Sequence, residues 1–201
     1  MKAPFEFYFD FSSPYGYFAS TQIDALASEF GRETLWRPIL LGAIFKTAGS
    51  APLTDMPLKG AYSLHDFSRT ASLFDIAYHH PERFPISTVS AARAMWWIEQ
   101  HAGAPKAKEF AHGIYHAYFA GRQDIGDLAT VVAQAEQIGI DGGQLTQGIE
   151  QKEVKDGLRS QVETAIGRGV FGSPFILIDD EPFWGFDRFD YIRKWLQRAT
   201  T

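Results

Sequence analysis

Apolar residues near the N-terminus form a short and nearly continuous run that is typical of a buried strand. Residues 4–11 read Pro-Phe-Glu-Phe-Tyr-Phe-Asp-Phe, and a run so short and so rich in aromatic residues favours a strand. Apolar side chains then recur at helical spacing over residues 14–30, and Gly31 ends the predicted helix. Residues 33–38 predict a second strand. A strand, a crossover helix and a strand within about forty residues predict a parallel pair.

Helical patterns dominate the middle of the chain. Residues 47–57 are rich in Pro, Gly, Ser and Thr, and apolar residues recur at helical spacing after them. Ser87-Thr88 has the side chains of a helix cap. We predict helices over residues 88–101, 105–121, 127–139, 143–149 and 150–167.

Strand patterns return near the C-terminus. Residues 174–178 and 182–184 flank an Asp179-Asp180 turn, which predicts a β-hairpin. A last helix is predicted over residues 187–198.

The order of these elements predicts an α/β fold. One sheet is built from both ends of the chain in the order βαβ…ββα, and a large all-helical insertion separates the two parts. We assign residues 1–40 and 150–201 to the domain that contains the sheet, and residues 41–149 to a helical insertion domain.

Composition and charge exclude several classes of function. The 201 residues are 45% hydrophobic and 21% charged, as in a folded globular chain. The net charge is −5 and the basic residues form no run, so we expect no nucleic-acid partner. The chain has no cysteine. This excludes a disulfide framework, a cysteine-ligated metal and chemistry by a thiol of the protein itself.

The hydropathy of the chain predicts neither a targeting segment nor a membrane span. Pro4 and Glu6 interrupt the N-terminus before an apolar run of signal-peptide length builds up. No run of about eighteen apolar residues follows. We therefore expect a cytoplasmic protein without a membrane partner.

The Ser12-Ser13-Pro14 turn between the first strand and the first helix is a candidate site. Serine before proline at a helix start supplies an N-cap oxygen. The same place, just beyond the carboxyl end of a strand, carries unpaired N–H groups that suit an anion. Either a serine caps the helix only, or a serine hydroxyl also donates to a bound anion. No Gly-x-Ser-x-Gly surrounds these serines, so we predict no hydrolase triad.

A proline at the start of the third predicted strand marks a second candidate site. Pro174 follows Phe171-Gly172-Ser173, and proline cannot donate to the ladder of a central strand. Pro174 therefore either lies at an edge with an ordinary trans bond or follows a cis bond. A cis bond would leave the backbone N–H and C=O of Ser173 free to pair with an extended, peptide-like ligand.

Histidines at helical spacing were the strongest candidates for a metal. Glu109, His112 and His116 share one helix face, but nothing suggests a further ligand from elsewhere in the chain. We therefore predict no metal site. The Gly167–Gly172 match to Gly-x-Gly-x-x-Gly follows a helix and opens a strand, which is the reverse of the order in dinucleotide-binding folds.

Charged and aromatic side chains in the insertion are candidates for binding a substrate. Lys59, Arg69 and Arg93 can each meet a carboxylate or remain a solvated charge. Met95-Trp96-Trp97-Ile98 packs a helix against its neighbours or lines a pocket for a flat ligand. These alternatives remain open from the residues alone.

Three segments together resemble a known family. Residues 9–17 read Phe-Asp-Phe-Ser-Ser-Pro-Tyr-Gly-Tyr, residues 170–174 read Val-Phe-Gly-Ser-Pro, and residues 184–188 read Trp-Gly-Phe-Asp-Arg. In combination they resemble the 2-hydroxychromene-2-carboxylate isomerases, which are related to kappa-class glutathione transferases and to the DsbA-like branch of the thioredoxin superfamily. The resemblance spans essentially the whole chain. It implies a thioredoxin-like domain with a helical insertion, and glutathione as cofactor.

The resemblance implies a set of cofactor-binding residues. Ser13 would be catalytic and would contact the glutathione sulfur, and Ser173 would pair with glutathione through its backbone. Asp187 would meet the α-ammonium group. The residues implied to bind the cofactor are Ser13, Ser173, Pro174, Trp184, Gly185, Phe186 and Asp187.

The resemblance is less specific about the substrate. Lys59 stands where the family has a basic residue near the substrate, and Arg93 and Tyr15 are further candidates to bind it. The family carries an asparagine after a Phe-Pro pair, whereas here Phe84-Pro85 is followed by Ile-Ser-Thr. This departure leaves the exact substrate open.

The implied function is glutathione-dependent isomerisation of a small aromatic carboxylate. A thiolate would add transiently to 2-hydroxychromene-2-carboxylate, the ring would open, and trans-o-hydroxybenzylidenepyruvate would form in a step of aromatic hydrocarbon catabolism. Relatives of this type imply a homodimer. Two alternatives stay open: a kappa-type transferase that conjugates glutathione to electrophiles, and a non-catalytic module that binds thiols or peptides. A DsbA-like dithiol oxidoreductase is excluded because the chain has no cysteine.

Overall fold

The computed structural model describes residues 2–198, which form a mixed sheet with helices packed on it and a helical region beyond it. The strands are β1 (Phe5–Phe9), β2 (Thr34–Pro38), β3 (Phe175–Ile178) and β4 (Glu181–Trp184). The α-helices are α1 (Pro14–Ser20), α2 (Ile23–Glu29), α3 (Leu41–Ala48), α4 (Lys59–Leu73), α5 (Val89–Ala102), α6 (Ala104–Phe119), α7 (Leu128–Gln137), α8 (Gly142–Gly148), α9 (Lys152–Gly167) and α10 (Phe189–Arg198).

The sheet combines both ends of the chain, as the pattern predicts. Its order is β2-β1-β3-β4. Strands β1 and β2 are parallel, with Phe5 opposite Thr34, and β3 is antiparallel to both β1 and β4. Pro182 lies in β4, at the edge, where its missing N–H leaves no ladder bond unmade. The α/β fold with a helical insertion is confirmed.

Alternation along β1 separates the core into two layers. Phe7 and Phe9 point to one face, where their rings contact the ring of Trp36 at centroid distances of 5.1 and 5.4 Å. Tyr8 points to the other face and packs in a cluster with Leu158 of α9. Successive side chains of a strand face opposite sides of the sheet, so an almost wholly apolar strand is buried on both faces.

The predicted first helix is two helices, which corrects the single helix expected over residues 14–30. The hydroxyl of Ser20 donates to the Tyr17 carbonyl at 2.6 Å, and the hydroxyl of Thr21 donates to the Phe18 carbonyl at 2.8 Å. Side-chain hydroxyls of this kind compete with the backbone bonds of a helix. The chain therefore turns after Ser20, and α2 begins at Ile23.

The other predicted helices agree with the structure within two residues at each end, and two helices come in addition. Helices α3 and α4 lie in the region for which the sequence predicts helical character without bounds, and a short 3-10 turn at Leu53–Asp55 connects them. A second 3-10 turn, Phe186–Arg188, precedes α10. Helix α9 contacts α3 and α5, and the division into residues 1–40 with 150–201 and residues 41–149 stays a prediction.

Candidate functional site

Ser13 caps helix α1 and also bonds a distant loop. Its backbone is extended, with φ −90° and ψ 115°, and its Oγ accepts the Gly16 N–H at 3.0 Å. Pro14 follows as the first helical residue, where its missing N–H costs nothing. The cap predicted from the sequence is therefore present. The Ser13 hydroxyl in addition donates to the Ser173 carbonyl at 2.9 Å, so the capping serine has a second role.

The Ser173-Pro174 bond is cis, and this loop lies directly against Ser13. Both serines are buried. The Ser173 hydroxyl accepts the Asp10 N–H at 3.0 Å. A cis bond was expected to leave both backbone groups of Ser173 free, and this is corrected for the carbonyl, which Ser13 occupies. The Ser173 N–H makes no hydrogen bond to any described residue.

Helix α1 leaves one donor open next to Ser13. The helix has seven residues. Its Gly16 N–H bonds the Ser13 Oγ, and its Tyr17 N–H bonds the Ser13 carbonyl at 2.9 Å. The Tyr15 N–H has no partner within residues 2–198. The amides of Tyr15 and Ser173 and the Ser13 hydroxyl together form a set of donors that suits an anionic or peptide-like ligand.

Gly16 lets three elements meet at this point. A Cβ at this position would stand 2.7 Å from the Tyr115 hydroxyl oxygen and 2.8 Å from Ser173 Oγ. The Tyr115 hydroxyl donates to the Asp10 carbonyl at 3.0 Å, and burial raises the pKa of Tyr115 well above its usual value. The first turn of α1 thus packs against α6 and the cis-proline loop with no room for a side chain.

Asp10 is a buried carboxylate to which sequence reasoning assigned no role. It is 3% exposed. Burial raises its pKa, and hydrogen bonds from Leu41, Ser12 and Thr88 partly oppose this effect. A charged residue inside an otherwise apolar strand run was the available signal, because such a residue is seldom buried without partners. Its partners come from distant parts of the chain and were not visible from the pattern.

Trp184 and Gly185 lie beside the cis proline. The Gly185 N–H donates to the Pro174 carbonyl at 3.1 Å, and its φ of 109° is a conformation that favours glycine. The Trp184 side chain is half-exposed, and its indole Nε1 lies over Gly172, where a Cβ would collide with it. The ring of Phe171 contacts the Trp184 ring at 5.0 Å. The segment thus borders the Ser13 site with an aromatic surface open to solvent.

The side chain of Phe186 is buried, whereas that of Asp187 faces solvent. The Phe186 side chain is buried and contacts the rings of Phe74 and Phe189 at 4.7 and 5.2 Å. Only its backbone can therefore face a ligand. The Asp187 carboxylate is exposed and lies 3.3 Å from the Arg188 guanidinium. It offers a negative charge at the surface of the site.

Tyr15 connects α1 to α4. Its hydroxyl donates to the Asp66 carboxylate at 2.5 Å, and its ring meets the edge of Phe67 at 5.0 Å. Burial, the hydrogen bond to Asp66 and the charge of Asp187 all raise the pKa of Tyr15, so its hydroxyl stays protonated. Asp66 also pairs with Arg69. Asp187 and Asp66 therefore lie within electrostatic range of the same hydroxyl.

Lys59 and Arg93 occupy different surroundings. Lys59 is exposed at the first position of α4, seven residues before Asp66, which is about 10 Å along the helix axis. It forms no ion pair with a described residue. Arg93 pairs with Glu150 at 3.7 Å and lines an open groove of about 850 Å³ between α3, α5 and α9. None of Ser13, Ser173, Pro174 and residues 184–187 lines this groove.

The described chain offers neither a metal site nor a membrane-spanning helix. His112 lies on the exposed face of α6, its ring meets the edge of Trp36 at 4.9 Å, and partial desolvation of the imidazole lowers its pKa. Residues 2–198 contain no group of three or more His, Asp or Glu side chains placed to hold a metal ion. Every helix among them is too short or too polar to cross a membrane.

Known proteins are similar to this chain over almost its whole length. A family model described as a DSBA-like thioredoxin domain matches residues 5–197. The 2-hydroxychromene-2-carboxylate isomerase of Sphingobium xenophagum is 28% identical over 198 residues, which cover 98% of this chain and 99% of that protein. Glutathione S-transferase kappa 1 of Caenorhabditis elegans is 25% identical, over 96% of this chain and 90% of its own length.

A solved structure of a 2-hydroxychromene-2-carboxylate isomerase has the same fold. It superposes with a TM-score of 0.85 at 24% identity and covers 98% of this chain and 95% of its own. The thioredoxin-like fold and the family resemblance expected from the sequence motifs are therefore confirmed.

Proposed function

This chain belongs to the family of DSBA-like thioredoxin domains, and from that premise we propose that it is a glutathione-dependent isomerase of 2-hydroxychromene-2-carboxylate-type substrates. The observation that carries the proposal is the Ser13 hydroxyl held against Ser173 at the cis proline, in a chain that has no cysteine. Thiol chemistry at this site needs a sulfur from outside the chain. Relatives named as this isomerase and as kappa transferases support the choice of reaction.

The residues around Ser13 have the chemistry that glutathione requires. The unpartnered N–H of Ser173 can pair with a peptide carbonyl. The exposed Asp187 carboxylate suits an α-ammonium group. The Trp184 ring covers the adjacent surface. Ser13, Ser173, Pro174 and the Trp184–Asp187 segment would therefore hold the cofactor.

Ser13 can serve the bound cofactor without losing its place in the fold. Glutathione supplies, when bound, a thiolate that adds to an unsaturated carbon and leaves again unconsumed. The Ser13 hydroxyl has one hydrogen atom, which it donates in the hydrogen bond to the Ser173 carbonyl. Rotation about the Cβ–Oγ bond redirects this hydrogen atom towards an anion while the oxygen still accepts the Gly16 N–H. The same rotation releases the Ser173 carbonyl to accept an amide of a ligand.

The size of this contribution follows from the type of bond. A hydrogen bond to a charged group contributes about 1.5–3 kcal/mol. Each pKa unit is equivalent to about 1.4 kcal/mol, so the Ser13 hydroxyl would lower the pKa of a bound thiol by about one to two units. The Tyr15 N–H, also without a partner among the described residues, adds a second donor.

Lys59 is the cation that we propose for the carboxylate of the substrate. It has no ion pair within the described residues, whereas Arg93 is already paired with Glu150. Tyr15 and its partner Asp66 fix α4, which begins with Lys59, against the start of α1. A cytoplasmic homodimer is part of the same proposal.

Titration and turnover together test the proposal. Calorimetric titration with glutathione is expected to show binding, and an ultraviolet assay with 2-hydroxychromene-2-carboxylate is expected to show isomerisation at a catalytic amount of glutathione. Constant total thiol supports the isomerase. Loss of thiol in step with the substrate would identify a kappa-type transferase, which the relative from Caenorhabditis elegans favours. Heat without turnover would leave a binding module, and no heat at all would refute the use of glutathione.

A further inference from the structure

The carboxylate of Asp10 is held by four neutral donors. Its Oδ1 accepts the Ser12 N–H at 2.8 Å, the Ser12 hydroxyl at 2.8 Å and the Thr88 hydroxyl at 3.0 Å. Its Oδ2 accepts the Leu41 N–H at 2.7 Å. No Lys, Arg or His of residues 2–198 forms an ion pair with it. A buried carboxylate is costly unless its oxygens are fully bonded, and these four bonds meet that requirement.

These donors begin three separate elements. Ser12 precedes the capping residue of α1, Leu41 is the first residue of α3, and Thr88 directly precedes α5. The Thr88 hydroxyl does not cap α5. It donates a hydrogen bond to Asp10 instead. One carboxylate thus joins the turn that presents Ser13 to two helices of the insertion.

The backbone of Asp10 is tied to the same site. Its N–H donates to the Ser173 Oγ at 3.0 Å. Its carbonyl accepts the Ser13 N–H at 2.9 Å and the Tyr115 hydroxyl at 3.0 Å. Asp10 therefore contacts both serines of the site as well as the insertion.

We infer that Asp10 is a positioning residue that, through Leu41 and Thr88, sets the helical insertion at a fixed place relative to the Ser13 hydroxyl. This rests on the proposed function, in which the substrate lies between Ser13 and the insertion that carries Lys59. Helix α3 leads to the segment that ends at Lys59. Rates of reaction between groups on two elements depend steeply on their placement, and an error of about 1 Å can cost a hundredfold.

Substitution of Asp10 and substitution of Thr88 test the connections to α3 and to α5 separately. In Asp10→Asn the amide oxygen takes the Oδ1 place, where three donors converge, and the NH₂ group then faces the Leu41 N–H. Two donors cannot bond, so this variant loses the connection to α3. Thr88→Val keeps the shape of the side chain and loses the connection to α5, and Thr88→Ser retains the hydroxyl.

A control substitution removes a threonine hydrogen bond of the same kind at a place distant in sequence from Asp10. The Thr146 hydroxyl donates to the Gly142 carbonyl at 2.7 Å within α8. Thr146→Val therefore removes one threonine hydrogen bond, as Thr88→Val does, at an exposed position and without touching Asp10. The melting temperatures of the two variants show how much each substitution destabilises the fold.

Kinetics of the three threonine variants test the positioning role. Thr88→Val is expected to lower kcat for the chromene about tenfold, while the calorimetric affinity for glutathione stays at the wild-type value. Thr88→Ser is expected to restore most of kcat, and Thr146→Val to keep it. A kcat of Thr88→Val equal to that of Thr146→Val, with the wild type active, would overturn the inference and leave the proposed function intact.

Amide exchange gives a readout that does not depend on turnover. Asp10→Asn is expected to speed the exchange of the Leu41 N–H measured by NMR, while the Gly16 N–H, held by Ser13, exchanges as in the wild type. An unchanged Leu41 rate would refute the connection to α3. If Asp10→Asn does not fold, the kinetics of Thr88→Val and Thr88→Ser still test the positioning role. A wild type that binds no glutathione would refute the proposed function, and amide exchange alone would then decide whether Asp10 connects to α3.

Discussion

Replacement of Ser13 by alanine separates the two roles of its hydroxyl. The substitution removes the donor to the Ser173 carbonyl and the acceptor for the Gly16 N–H. It leaves the backbone of the turn and Pro14 in place. Ser20→Ala is the matched control, because Ser20 is also buried in α1 and also donates to a backbone carbonyl, that of Tyr17.

The expected loss of stability is modest. Loss of an N-cap costs about 1 kcal/mol, and loss of a buried hydrogen bond costs about 1 kcal/mol. The sum of about 2 kcal/mol corresponds to a fall of about 4–8 °C in the melting temperature of a domain of this size. Ser20→Ala loses one bond only, and about 1 kcal/mol is expected.

The expected loss of activity is larger and specific to Ser13. A hydrogen bond to a thiolate contributes about 1.5–3 kcal/mol, so Ser13→Ala should lower kcat/KM for the chromene about 10- to 150-fold. The pKa of the bound glutathione thiol, followed by the ultraviolet absorbance of the thiolate, should rise by about one to two units. Ser20→Ala should leave both quantities unchanged. A Ser13→Ala protein with the wild-type thiol pKa and rate would refute the role of Ser13.

Three further substitutions test the packing of the site, an ion pair on strand β1 and the rim of the site. Gly16→Ala is expected to lower the melting temperature, because overpacking against the Tyr115 hydroxyl and Ser173 Oγ costs about 1–3 kcal/mol and outweighs the gain of up to about 1 kcal/mol in helix propensity; a higher melting temperature would contradict this. Arg168→Met tests Glu6: burial raises the pKa of Glu6, yet hydrogen bonds from Arg168 and Tyr8 bring it below the usual 4.5. Arg168 also pairs with Asp180 and donates to the Tyr8 hydroxyl. A lowered carboxyl pKa stabilises the fold above the usual value and this stabilisation is lost as pH falls, so the difference in unfolding free energy between wild type and Arg168→Met should be largest at neutral pH and fall in acid to the part that the hydrogen bond to Tyr8 contributes. A difference that does not fall in acid would exclude a contribution from Glu6. Gly172→Ala displaces the Trp184 indole and is expected to weaken calorimetric glutathione binding about tenfold, or about 1.4 kcal/mol; unchanged binding would remove Trp184 from the cofactor site.

The sequence pattern predicts those elements that depend on residues close together in the chain. The strands were readable because almost every residue of 5–9 is apolar, and the hairpin because Asp179 and Asp180 tolerate the positive φ values of 53° and 66° that the turn requires. The cap at Ser13 was readable because serine and proline occupy fixed positions at a helix start. The break after Ser20 was missed because hydroxyls that bond the backbone override an otherwise helical spacing.

The sequence by itself determined the class of fold, the cap at Ser13 and the absence of a thiol of the protein's own. These follow from hydrophobic period, from the geometry of serine and proline, and from the absence of cysteine. Only the tertiary structure decided which groups meet. Ser13 bonds a carbonyl 160 positions away, Tyr15 a carboxylate 51 positions away, and Asp10 a hydroxyl 78 positions away. No local preference encodes such pairs, because they form only when the sheet and the helical insertion have packed together.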